Sequence, residues 1–279
     1  MEFGLSGLCT DESIGPGELG RIVEGSGLFD SLWFGEHTHI PSSRESPFPD
    51  GELPRDHHRT IDPFVGLTAA ACATSRILLG TGICLLVARD PIICAKEVAS
   101  LDLVSGGRAI LGISGGWNLE ELRNHGTDPR TRFAVQRERV AALRALWTEE
   151  LSSYHGRFVD FDRVWQWPKP VNGRVPVVLG GNGRGAEARA LEYGDGWGPM
   201  HAPGIVERVA AFVAEARNRG RELPVTVFFY GVPPQDVLAA YAAAGAKRCS
   251  FSLSEAGAET VEREFPAMER AILAFREGR

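Results

Sequence analysis

The segment Trp33-Phe34-Gly35-Glu36-His37-Thr38-His39 places two histidines two residues apart at the end of an apolar run. If the strand continues, both rings point the same way, which is the spacing of a metal pair. A hydrolytic metal site built on such a pair needs a lysine and further histidines on later strands, and 108–114 offers no lysine. A second reading makes His37 a proton donor or hydrogen-bond donor at a site mouth. A third is a histidine satisfied by backbone at a strand end. His57, His58, His125 and His155 have no partner spacing and read as surface or lid residues, and His201 is notable only for following a strand.

Three glycine-rich stretches end apolar runs. Ile77-Leu78-Leu79-Gly80-Thr81-Gly82-Ile83-Cys84 is apolar throughout, as a doubly buried parallel strand should be. Its glycines suggest a kink or a flat ligand laid against it. Ser114-Gly115-Gly116-Trp117-Asn118 would let a ring or phosphate approach the backbone, or form a tight turn. Leu179-Gly180-Gly181-Asn182-Gly183-Arg184-Gly185 leads into a helical run and fits an anion site of free N–H groups, with Arg184 adding charge. A Walker lysine is absent. Of the five cysteines, Cys84 alone sits beside such a loop; the others read as buried, reduced thiols.

These residues need a frame. The chain has 279 residues, is 43% hydrophobic and carries a net charge of −6. That composition excludes a disordered chain and argues against a broad nucleic-acid face. No apolar run is long enough for a membrane span, and the start lacks a basic leader, so a cytoplasmic protein is expected. Strand-like runs lie near 2–9, 31–36, 77–87, 108–114, 175–180, 194–200, 224–230 and 248–253, each followed by a stretch that can be helical. Eight such units in alternation predict a closed (β/α)8 barrel formed as one domain over 1–279. An open doubly wound sheet is the alternative, but no G-x-G-x-x-G follows the first strand. Two connections are long. The stretch 41–60 follows a strand and is a candidate lid, and 151–172 is an excursion containing an irregular hairpin at 152–161.

The chain resembles the luciferase-like flavin and deazaflavin oxidoreductases, of the coenzyme F420-dependent kind. The segments that carry the likeness run in order from about residue 30 to 200. They are Trp33-Phe34-Gly35-Glu36-His37, Arg76-Ile77-Leu78-Leu79-Gly80-Thr81-Gly82, Arg89-Asp90-Pro91, Ser105-Gly106-Gly107-Arg108, Gly115-Gly116-Trp117-Asn118, His155-Gly156-Arg157-Phe158, Pro168-Lys169-Pro170, Leu179-Gly180-Gly181-Asn182 and Gly194-Asp195-Gly196-Trp197.

The resemblance implies a (β/α)8 barrel with a flat cofactor ring at its mouth. It implies a non-prolyl cis peptide at Gly82-Ile83 behind that ring, and ring or phosphate contacts from Gly82, Ile83, Cys84, Gly115, Gly180, Gly181, Asn182, Gly183 and Arg184. It implies His37 as the proton-handling residue, Trp117 as a wall of the substrate pocket and no metal. The cofactor is expected to be F420, with FMN and a partner reductase as the alternative. Transfer of a hydride to or from a small organic substrate follows, in a homodimer whose helices at 60–74 and 91–105 supply the interface. Sugar-phosphate dehydrogenases of the family carry glutamate where Trp117 stands and a lysine near Met200-His201-Ala202-Pro203, so an apolar or planar substrate is expected instead. A metal hydrolase and a cofactor-binding protein without turnover are the remaining alternatives.

Overall fold

The computed structural model describes residues 1–49, 51–254 and 257–278. Its strands are β1 (Glu2–Gly7), β2 (Ser31–Phe34), β3 (Leu78–Thr81), β4 (Ala109–Ile113), β5 (Ser152–His155), β6 (Asp160–Val164), β7 (Val177–Gly180), β8 (Gly196–Gly198), β9 (Thr226–Tyr230) and β10 (Arg248–Ser252). The helices are α1 (Pro16–Gly25), α2 (Pro63–Ala73), α3 (Pro91–Ser105), α4 (Leu119–Asn124), α5 (Arg132–Thr148), α6 (Ala186–Tyr193), α7 (Ile205–Asn218), α8 (Gln235–Ala243) and α9 (Ala258–Arg276).

Eight strands pair in parallel in the order β8-β7-β4-β3-β2-β1-β10-β9. Parallel bridges Trp197–Val225 and Met200–Phe228 join the two edges, so the sheet nearly closes into a barrel. Period-two alternation separates two layers. Trp33, Ile110, Val178 and Phe228 pack together inside the barrel. Their neighbours Leu32, Phe34, Leu111, Val177, Leu179, Val227 and Phe229 belong to the larger core beneath the helices.

Two helices start on the same Asp-Pro device. Asp62 accepts from the N–H groups of Phe64 and Val65, and Asp90 from those of Ile92 and Ile93, with proline at the first helical position. The chain thereby leaves β2 and β3 in fixed directions, and the loops before these helices lie at the strands' carboxyl ends. Among the described residues, no helix is long and apolar enough to cross a membrane.

Two expectations need correction. The run 77–87 is not one strand: β3 stops at Thr81, the Gly82-Ile83 peptide is cis, and residues 86–88 form a 3-10 turn. Gly80 is explained by packing, because a Cβ there would lie 2.2 Å from Trp33 Cε3. Helix α4 was not legible, being only six residues long. The excursion does hold an irregular antiparallel hairpin, β5–β6, which extends to Val164. The stretch 41–60 is a loop with one 3-10 turn at Arg55–His58, and Asp50 within it lies outside the described residues.

Candidate active site

His37 follows β2 and is buried. Its Nδ1 lies 2.8 Å from Glu121 Oε2, and Trp117 Nε1 donates to its Nε2 at 3.3 Å. Glu121 Oε1 also accepts the Thr38 N–H at 3.2 Å. The carboxylate therefore grips both the ring and the backbone of the next residue. Glu121 is itself buried, held on α4 whose first turn Asn118 caps by accepting the Glu121 N–H. An indole N–H only donates, so Nε2 is the acceptor there and the imidazole proton sits on Nδ1 toward the carboxylate.

The loop 41–60 closes over this pair. His57 lies 5.5 Å from the His37 ring, and Phe48 lies 4.9 Å from His57 and 5.4 Å from Trp117. Burial, and then the neighbouring His37, lower the His57 pKa to about 4, and its Nδ1 is buried without a partner. The loop is pinned by Glu120, whose carboxylate accepts from Ser43 Oγ, the Glu45 N–H and the Ser46 N–H at 3.2, 2.6 and 3.0 Å. Burial raises the Glu120 pKa, but these hydrogen bonds outweigh it and hold it at about 2.

The glycine stretches at the ends of β3 and β7 differ in what fills the space beside them. Gly180 has no room for a Cβ, which would meet Ile83 Cδ1 at 1.9 Å. Gly82 packs on Trp33 Cβ in the same way, at 3.0 Å. Gly181 has φ +106° and its N–H is taken by the Gly198 carbonyl. Asn182 is also occupied, its amide spanning to both the N–H and the carbonyl of Met200. Beyond it the backbone opens. Among the described residues, the N–H groups of Gly183, Arg184 and Gly185 face no acceptor, and a Cβ at Gly183 would meet nothing within 4 Å. The N–H groups left open in this loop are thus those of 183–185, later than the first glycines suggest.

Other expected residues are placed elsewhere. Cys84 is fully buried, its N–H bonded to Gly112 and its carbonyl to Ser114, so it presents no surface to a cofactor. Burial raises its thiol pKa well above the usual value, which makes it inert. Gly115 is buried against Phe133, whose ring a Cβ would meet at 2.7 Å, so its smallness serves packing. Ser114 Oγ accepts the Gly116 N–H and shapes that turn. His39 turns away to Asn124 and Thr38, so the two histidines do not converge as a metal pair. His201 stacks on Phe229 and bonds Tyr241.

Two residues escaped sequence reasoning, Glu120 and Glu121. The signal available was Asn118-x-x-Glu121, the spacing of a capping box. Asn118 does cap, but the Glu121 side chain is diverted to His37.

The luciferase-like monooxygenase family profile matches residues 17–267. An uncharacterized protein of Mycobacterium tuberculosis (strain ATCC 25618 / H37Rv) is 37% identical over 266 residues, covering 93% of this chain and 94% of that one. An F420-dependent glucose-6-phosphate dehydrogenase of Kineococcus radiotolerans is 32% identical over 196 residues, covering 67% of this chain and 53% of its own. The barrel also matches the structure of an F420-dependent secondary alcohol dehydrogenase in complex with an F420-acetone adduct, with TM-score 0.78, 18% identity and 98% of each chain covered. At that identity the likeness is one of fold.

Proposed function

The chain belongs to the luciferase-like monooxygenase family, and on that premise we propose that it is an oxidoreductase working with coenzyme F420. It moves a hydride between the deazaflavin and an activated C=C, C=N or C=O, or an alcohol, of a small organic substrate. The observation that carries this reading is the buried His37–Glu121 pair after β2, on the same barrel end as the open glycine loop after β7.

When bound, the reduced cofactor supplies the hydride. The residues that would hold it are Gly82, Ile83 and Gly180 at the ring and Gly183, Arg184 and Gly185 at the phosphate. His37 holds or takes the substrate's proton at Nε2, the nitrogen that Glu121 leaves free for exchange. Glu121 fixes the ring's orientation through the 2.8 Å contact at Nδ1. Trp117 walls the pocket, and its bulk where sugar-phosphate relatives have a carboxylate suits an apolar or planar substrate. The 41–60 loop excludes water from His37 through His57 and Phe48. Five free cysteines, four of them buried and Cys72 exposed, suit the reducing cytoplasm.

Titration of purified protein with F420 and, separately, FMN tests the proposal through tryptophan fluorescence. Tight F420 with weak FMN supports it. The reverse turns the reading to an FMN-dependent monooxygenase fed by a reductase, and binding of neither overturns both.

A further inference from the structure

Two arginines near the glycine loop have no carboxylate. The Arg132 guanidinium lies 4.6 Å from the Phe133 ring centroid and that of Arg189 lies 3.8 Å from it. Arg132 donates to the Pro129 carbonyl at 2.5 Å and keeps a buried Nε without a partner. Arg189 reaches only the Arg184 carbonyl among the described residues, at 3.3 Å. The nearby carboxylates are already engaged: Glu187 by Arg208, Glu192 by Arg137 and Asp128 by Arg130. Burial and the adjacent Arg132 cation both lower the Arg189 pKa. Two cations gathered on one ring without an anion form a site waiting for one.

Their position says which anion. A Cβ on Gly115, after β4, would meet Arg132 Cδ at 3.4 Å, and a Cβ on Gly185, after β7, would meet Arg189 Nη1 at 3.2 Å. The pair thus spans the ends of adjacent strands, directly beside the open N–H groups of 183–185. Arg132 also lines a groove together with Pro129, Asp128, Arg130, Leu119 and Arg123. In it Arg130 pairs with Asp128 and Arg123 with Glu45 at 3.5 Å, both exposed pairs, so Arg132 is the groove's cation without a carboxylate among the described residues, in a chain whose net charge is −6. A single phosphate would be satisfied at the loop and would leave the groove unused. A phosphate followed by a chain of carboxylates would use all of it.

We propose that Arg189 and Arg132 bind the oligoglutamate tail of F420 beyond its phosphate, and that the groove past Arg130 and Arg123 carries the tail outward. This rests on the F420 reading above. It also supplies a reason for the protein to prefer F420 over FMN, whose anionic part ends at one phosphate.

The test titrates wild type, Arg132→Gln, Arg189→Gln and Arg189→Lys with two probes, F420 carrying its glutamates and the same cofactor without them. The expected result is a loss of about tenfold or more in affinity for the full cofactor in both glutamine variants, as for a lost charge-assisted pair. Affinity for the glutamate-free cofactor should stay within about twofold, and Arg189→Lys should retain most of the full-cofactor affinity. The salt dependence of full-cofactor binding should flatten in the glutamine variants. Equal losses on both probes, or no loss on either, overturn the tail site while leaving the F420 reading intact. Wild type that binds neither probe overturns the F420 reading itself, and the tail site with it.

Discussion

The indole N–H of Trp117 points at Nε2 of His37 from 3.3 Å, while Glu121 Oε2 lies 2.8 Å from Nδ1. Because indole can only donate, this contact selects one tautomer and keeps the exchangeable nitrogen occupied until the indole yields. A substrate that reaches Nε2 must therefore displace the Trp117 contact.

Glu121 is a positioning residue by this geometry. Glu121→Gln keeps the shape but offers an amide that can turn its NH2 toward Nδ1. That would force the proton onto Nε2, facing the indole donor. Turnover should fall about tenfold to a hundredfold, within the range that general acid–base groups supply. KM and cofactor affinity should hold, and the pH profile of kcat should move. An unchanged kcat–pH profile would make the pair merely structural.

His37→Ala removes the proton-handling atom without touching the glycine cradle. Turnover should drop at least about tenfold with F420 affinity nearly unchanged. Parallel losses in kcat and in binding would assign His37 to the cofactor surface instead.

Gly180 and Gly183 should respond differently to alanine. At Gly180 the new methyl collides with Ile83 Cδ1, built at 1.9 Å. Overpacking of this kind costs about 1–3 kcal/mol, so Tm should fall and cofactor binding with it. At Gly183 the methyl meets no protein atom within 4 Å. Tm should hold there, and cofactor affinity alone should weaken. Calorimetry beside a binding titration separates the two, and a Gly183→Ala variant that binds normally would remove that backbone from the phosphate site.

The 41–60 loop carries a pH signature. His57 has its pKa lowered to about 4 by burial and by the adjacent His37. The unfolded chain takes up a proton near the ordinary value of about 6.5, before the folded one does. Stability therefore rises with pH across that window and is lost as pH falls from about 6.5 toward 4. His57→Phe should flatten this part of the Tm–pH curve, with wild type losing ground to it only below about pH 6.5. A wild-type curve parallel to the variant's would mean that His57 leaves its pocket on protonation. Glu120 acts in the same direction at lower pH: its carboxyl, held at about 2, contributes stability that is lost only as pH falls from the ordinary value of about 4.5 toward 2.

The barrel was legible because parallel strands are continuous apolar runs and their helices begin at strong local signals, such as Asp62-Pro63 and Asp90-Pro91. His37, Trp117, Gly82 and Gly180 stand at strand ends, where period and punctuation reveal them. Glu121 was hidden by its own local logic, since three residues after Asn118 it reads as a helix cap. The Arg132–Arg189 pair was invisible for a different reason. Those residues are 57 positions apart and meet only because β4 and β7 are neighbours, a pairing that skips the β5–β6 excursion. Cys84 and Gly115 misled for the converse reason: a small residue beside a loop looks the same whether ligand or side chain fills the space.

One face of the barrel exposes apolar surface that the chain itself does not cover. Val65 on α2, Ile93 and Leu103 on α3, and Trp165 and Trp167 in the excursion each leave at least 55% of their surface accessible. These elements touch: α2 packs on α3, Gln166 Nε2 donates to the Ile92 carbonyl, and Lys96 bonds the Trp167 carbonyl. These residues lie on neighbouring elements, α2 and α3 among them, the helices expected to form a homodimer, and exposed apolar surface gathered in this way is what such an interface would cover. A second copy of the chain is the partner that needs no other protein to be present. Sedimentation of wild type should give twice the chain mass. Ile93→Glu combined with Leu103→Glu should give the monomer with its circular dichroism intact, because both side chains point to solvent in the isolated chain. Wild type that sediments at the chain mass across micromolar concentrations would sink the dimer, and a double variant that stays dimeric would move the interface off this face.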